Sequence, residues 1–200
     1  MHRLATSQTD LCLRPTGSQA KQMERNEGNH TLNVLHCQPK EGISPMFEYK
    51  LNWISKEIAV GAAPSSTATF ETIKNSGIEV ILNLCTECGN LHERERAAGF
   101  IVYWLPISDA NAPELDELDE ALEWLNEHVD SGKKTLIHCR FGVGRSGTII
   151  AAYLLKKGLN LDQVLEKMQE MPATPTSREQ RELIFAYAKR LGRDTKATKR

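Results

Sequence analysis

A run suited to a strand, Thr135-Leu136-Ile137, and a run suited to a helix, Thr148 to Leu155, are joined by His138-Cys139-Arg140-Phe141-Gly142-Val143-Gly144-Arg145-Ser146-Gly147. A strand that turns straight into a helix through glycines belongs to layered α/β folds, where the turn lies at the carboxyl edge of a sheet. At such a turn backbone N–H groups converge and the helix dipole is positive. A cysteine placed there is favoured as a thiolate, and the same donors favour a bound phosphate.

The rest of the chain fits that frame. Strands are predicted at Phe47–Ile54, Ile58–Val60, Ile78–Leu84, Phe100–Ile107 and Lys134–His138. Helices are predicted from Ser65/Ser66 to Asn75, and at Leu91–Ala98, Glu114–Val129, Arg145–Lys157, Leu161–Met171 and Ser177–Leu191. The 114–129 segment carries Leu115, Leu118, Leu122, Leu125 and Val129 on one face. Its first turn is acidic, which suits the positive end of the dipole. Strands alternating with helices imply a mostly parallel sheet of four to five strands with helices on both faces. Residues 1–45 are polar, without an apolar period, and read as a disordered tail. The alternatives are a docking segment, or a translation start upstream of the true one at Met46. Residues 46–191 form the expected domain and 192–200 a basic tail, a solvated run by default.

Composition narrows the partners. Net charge is −1, so the whole chain is not built for nucleic acid or acidic membranes. No apolar stretch is long enough to span a bilayer or to serve as a signal peptide. Five thinly spread cysteines suit reduced thiols rather than a disulfide framework, so a cytoplasmic setting is expected; a monomer is expected as well.

The chemistry of the loop can be read residue by residue. Phosphoryl transfer to a thiolate needs an ionised sulfur, donors for the non-bridging oxygens and a proton for the leaving oxygen. Backbone N–H groups of residues 140–145 supply donors, and Gly142 and Gly144 let the backbone come close or take positive φ. Arg145 can grip two oxygens with its planar fork. These donors bring a thiol into the range of about 4 to 7. The Ser146 hydroxyl can hydrogen-bond the sulfur and make it a better leaving group, and His138 is expected to brace the loop backbone. The leaving-group proton calls for a carboxyl near the loop. Asp109 follows a strand, has Pro106 and Pro113 on either side, and precedes Cys139 by thirty residues. If its strand and that of Cys139 are adjacent, both residues lie at one sheet edge. Asp116 and Asp119 fit helical spacing and read as solvated charges.

The full string, with preceding histidine, two glycines and following Ser-Gly, resembles the cysteine-dependent protein phosphatase superfamily, whose signature is His-Cys-x5-Arg-Ser/Thr. Within it, residues 50–191 are most similar to the compact dual-specificity branch. That resemblance implies a protein tyrosine phosphatase-like fold, no metal or cofactor, a cysteinyl-phosphate intermediate, and Asp109 as the acid. A loop this far along the chain argues against the low-molecular-weight branch, and rhodanese-like sulfurtransferases lack the Gly-x-Gly-Arg-Ser run. Some relatives carry a glutamine near the position of Gln180 that orients the hydrolytic water; a helix-surface glutamine is the plain alternative. A cysteine placed like Cys85 pairs reversibly with the catalytic one in lipid-3-phosphatase relatives, which makes Cys85 a candidate redox partner of Cys139. Cys85, Cys88 and His92 also have zinc-like spacing, but only three ligands. Tyrosine-only members carry a larger domain with a phosphotyrosine loop, which has no counterpart here, so phosphorylated protein substrates bearing phosphotyrosine and phosphoserine or phosphothreonine are expected. Phosphoinositide phosphatases favour two basic residues inside the loop, where this chain has only Arg140 beside Phe141. A phosphoinositide or other non-protein monoester is the alternative substrate, RNA 5′-triphosphatase activity finds no basic or aromatic pattern to call for it, and a non-catalytic phospho-residue binder is the remote alternative.

Overall fold

Period-two alternation decides which face of each strand is covered by which helices. A computed structural model describes residues 49–194; the readings of 1–45, Met46 and the end of the basic tail lie outside them. Strands β1 (Asn52–Trp53), β2 (Ile58–Ala62), β3 (Ile78–Cys85), β4 (Ile101–Ile107) and β5 (Lys134–Cys139) form one sheet in the order β1-β2-β5-β3-β4. Only β1 is antiparallel to its neighbour. Ala59, Ile81 and Leu136 point to a layer with Phe70 and Ile73 of α1 (Thr67–Asn75) and Leu91 of α2 (Leu91–Ala97). Val60, Leu82, Leu84, Ile137 and Cys139 point the other way. There they meet α3 (Leu115–Asp130), α4 (Gly144–Lys156), α5 (Leu161–Met168) and α6 (Arg178–Arg190). The expected architecture, a mostly parallel sheet between two helical layers, is the one observed.

Local chemistry sets the helix starts. The Ser66 hydroxyl accepts the Thr69 N–H at 3.2 Å, and Glu114 with Glu117, Asn160 with Gln163, and Ser177 with Gln180 form capping boxes. No side chain caps α4, so its first N–H groups remain for whatever lies in the 139–145 loop. Asp119 is more than a solvated charge: it accepts the Tyr187 hydroxyl at 2.6 Å and pairs with Lys156 and Arg190, tying α3 to α4 and α6.

Three expectations are corrected. Among the described residues the first strand is limited to two, because only Asn52 and Trp53 face Val60 and Ala59 in register; Phe47 and Glu48 of the expected strand lie outside them. Tyr49 is tied by its side chain instead, its hydroxyl donating to the Ala62 carbonyl at 2.5 Å. Helix α5 stops at Met168 rather than Met171, and Pro172 disfavours helical backbone at the residue before it. Strands β4 and β5 are not neighbours, for β3 runs between them. Because all three are parallel, the ends carrying Asp109 and Cys139 still share the carboxyl edge. Pro106 is accommodated because β4 is an edge strand.

Helix α4 buries almost every residue, and its approach to the 173–174 segment depends on Gly147. A Cβ there would lie 2.5 Å from the Thr174 nitrogen and 2.6 Å from its Cα. In an exposed helix Gly→Ala stabilises by about 0.5–1 kcal/mol. Here Gly147→Ala is expected to reverse that sign and destabilise by about 1–3 kcal/mol, read as a lower urea midpoint.

Candidate active site

The carboxyl edge of the sheet brings together loops that are far apart in sequence. Cys139 ends β5 and is buried; residues 140–143 wrap over it, and Gly144 opens α4. Gly142 takes φ +71°, and a Cβ there would lie 2.3 Å from the Gly61 carbonyl oxygen, so only glycine lets the loop close on β2. The Ala63 N–H donates to the Arg140 carbonyl at 3.2 Å and pins the same side.

Burial alone pushes the Cys139 thiol up. The Ser146 hydroxyl and the backbone N–H groups of Ser146, Phe141 and Val143 outweigh it and hold the thiol below its ordinary value. Ser146 Oγ is buried, makes no hydrogen bond to another described residue, and bears on the Cys139 thiol. The fold thus brings Cys139, Ser146 and the loop backbone together. Arg140 and Phe141 stand at the rim, the guanidinium 5.5 Å from the ring centroid and Phe141 69 % exposed.

Arg145 is buried, and its fork is held from the protein side. Nη2 donates to Glu87 Oε1 at 2.6 Å, and Nη1 to Glu87 Oε2 at 2.9 Å and to the Ile107 carbonyl at 2.8 Å. Nη2 also lies 3.2 Å from Asp109 Oδ1, whose side chain is 75 % exposed. The sequence reading had the fork gripping two phosphate oxygens. Nε carries no hydrogen bond to a described residue, and Nη2 can be freed only from the exposed Asp109. Asp109 sits in a turn closed by the Asn111 N–H on the Ser108 carbonyl, and the next residue, Ala110, holds φ +62°. Alanine in left-handed backbone costs about 1–2 kcal/mol, a strain that collects at functional loops.

Two carboxylates were missed. Glu87 lies just past the end of β3, at the edge the parallel topology marks, inside a Cys-Thr-Glu-Cys run read for its sulfurs. Glu95, fully buried on α2, accepts from Asn83 Nδ2 at 2.9 Å and lies 2.8 Å from His138 Nε2. His138 therefore braces α2 against β5 rather than the loop backbone, and its Nδ1 has no partner among the described residues. Nothing in the local pattern of α2 marks Glu95, because a charged residue in a charged helix reads as solvated.

Gln180 is not a surface residue, being 1 % exposed. Its Oε1 accepts the Thr176 N–H at 2.9 Å, its Nε2 donates to the Asn111 carbonyl at 3.2 Å, and a Cβ on Gly144 would approach its Oε1 to 2.9 Å. It thus joins α6, the first turn of α4 and the Asp109 loop. Cys85 is buried next to Cys88 and Glu87. His92 is not part of that group; its ring stacks on Trp104 with centroids 4.0 Å apart. Both Glu87 oxygens are already taken by Arg145, a poor start for a cation site.

The Arg145 contact draws the Glu87 carboxyl down from an ordinary 4.5 to about 2, against a smaller opposing effect of burial. A depressed carboxyl contributes stability above its unfolded value and loses it as pH falls through the folded one. Wild type is therefore expected to exceed Glu87→Gln in stability by a constant margin above pH 4.5, shrinking toward pH 2. Denaturant titrations of both proteins across that range check it.

Comparison with known proteins agrees with this geometry. A family model described as a polymorphic toxin system DSP-PTPase phosphatase matches residues 59–159, half of the chain. Human cyclin-dependent kinase inhibitor 3 is 29 % identical over 110 residues, covering 50 % of this chain and 52 % of the relative. Human dual specificity protein phosphatase 6 is 35 % identical over 103 residues, covering 51 % and 26 %. The chain therefore spans about half or less of the length of these curated relatives. Among solved structures, Tk-PTP in the active form superposes with a TM-score of 0.64 at 30 % identity, covering 70 % of this chain and 97 % of that one. With the family model matching half of its length, this chain belongs to the DSP-PTPase family of dual-specificity-type cysteine phosphatases.

Proposed function

We propose that residues 46–191 form a catalytic domain that hydrolyses phosphomonoesters, acting on phosphotyrosine and on phosphoserine or phosphothreonine in proteins. The observation that carries this reading is the place of Cys139, buried at the carboxyl end of β5 just before the uncapped first turn of α4, with the donors of that loop lowering its thiol. The family and the dual specificity relative support the substrate class. The exposed Phe141 and Val143 at the rim support a shallow mouth open to more than one phosphorylated side chain. A thiolate nucleophile requires reduced sulfur, which suits a cytoplasmic setting; no described helix is long and apolar enough to cross a membrane.

In the proposed cycle the Cys139 thiolate attacks phosphorus in line with the leaving oxygen. Loop N–H groups and the Nε and Nη2 donors of Arg145 hold the equatorial oxygens, while Glu87 keeps the guanidinium from turning. Binding of phosphate at Nη2 releases the exposed Asp109 carboxylate, which takes a proton from solvent or from the phosphate monoester and delivers it to the leaving alkoxide or phenolate. The ionised Asp109 next takes a proton from water as that water attacks the cysteinyl phosphate. Ser146 donates to the departing sulfur. Gln180, hydrogen-bonded to Asn111, fixes the position of the loop that carries the acid.

Release of phosphate from an aryl phosphate is expected to resist chelators, to be blocked by vanadate and to vanish in Cys139→Ser. Asp109→Asn is expected to slow an alkyl phosphate by about 10²- to 10⁴-fold. Tight phosphopeptide binding without turnover would make the protein a binder instead, and full activity of the serine variant would end the proposal.

A further inference from the structure

The turn that carries Glu87 holds a pair of thiols that the proposed cycle does not use. Residues 86–90 leave the end of β3 as a bend and turn, which folds Cys88 back over Cys85. The two sulfurs and a Glu87 carboxylate oxygen lie within 4.8 Å of one another. Cys85 is buried, with its carbonyl held by Trp104 Nε1 at 2.8 Å, whereas Cys88 is half-buried. We propose that Cys85 and Cys88 form an oxidation site, closing a disulfide when a hydroperoxide reaches them.

The asymmetry of the pair assigns the order of events. Burial and the adjoining Cys88 thiol keep the proton on Cys85. Cys88, the more accessible sulfur, attacks the peroxide oxygen and becomes a sulfenic acid as the O–O bond breaks and one alcohol or water leaves. Cys85 then attacks the Cys88 sulfur; the S–S bond forms, the S–O bond breaks, and the Cys85 proton departs with the hydroxyl as water. Two thiols are oxidised by two electrons and one hydroperoxide is reduced. Bonding distance is about 2 Å, so the side chains must swing together across the turn. The groups that bear most on Cys85 are Cys88, Glu87 and Arg145, and the Arg145 guanidinium faces both Cys85 and Cys139. The sulfur of Cys88 is the one set within 4.8 Å of that of Cys85.

Glu87 lies between the two cysteines and holds Arg145 through both carboxylate oxygens. Closing the disulfide moves that carboxylate and loosens the arginine. This consequence, unlike the disulfide itself, rests on the proposed phosphatase activity.

The full chain, as wild type and as Cys139→Ser, is treated with hydrogen peroxide, alkylated and cut with trypsin. One peptide, residues 75–94, holds both cysteines. In both proteins it is expected to lose about 2 Da, to escape alkylation and to recover both properties with dithiothreitol. Alkylation at both sites, or a cross-link from Cys85 to the 135–140 peptide of Cys139, would overturn the assignment. At doses that leave Cys139 open to alkylation, aryl phosphate turnover is expected to fall about tenfold or more in wild type and to hold in Cys88→Ser. Unchanged wild-type turnover with the disulfide present would separate the oxidation site from Arg145.

Discussion

The pairing of a buried thiol, held below its ordinary value, with a buried guanidinium is the interaction on which the rest of this structure turns. Neither charge is tolerable alone in an apolar layer, where an isolated ion is penalised by several kcal/mol. The sulfur is compensated by three backbone N–H groups and one hydroxyl, and the guanidinium by Glu87 and the Ile107 carbonyl. This arrangement also explains why so many glycines converge there, since donors can aim at one point only if the backbone approaches without side chains.

The sheet supplies the geometry. Parallel strands deliver Cys85, Ile107 and Cys139 to one edge, so residues separated by tens of positions meet without long loops. Alternation then sends His138 to the α1–α2 layer and Cys139 to the α3–α6 layer. Consecutive residues thereby take different work. One anchors β5 to Glu95 in a polar contact beneath the loop, and the other presents sulfur above it. The two exposed or half-exposed parts, the Asp109 turn and the Cys85–Cys88 turn, are those assigned to proton transfer and to oxidation.

Much of this was legible in the sequence where the signal is local. The strand, loop and α4 announce themselves through a contiguous string, and Ser66, Ser177 and Gly132 mark helix ends by their own chemistry. What stayed hidden is pairing across the sheet. Glu87 sits in a plain run of four residues, and only the three-dimensional edge turns it toward Arg145. Glu95 reads as one more surface charge until α2 is laid over β5. Gln180 looked like an exposed residue because its α6 neighbours Arg178, Glu179 and Arg181 are polar, whereas its burial comes from α4 and the Asp109 turn. The β4–β5 adjacency was misread because sequence order does not give strand order.

The central claim is that Cys139 is ionised at neutral pH because the loop donors overcome its burial. Following the rate of Cys139 alkylation against pH, by mass spectrometry of the peptide that contains it, measures this directly. The account predicts a midpoint clearly below the ordinary thiol value of about 8.5. A midpoint at or above that value would contradict it.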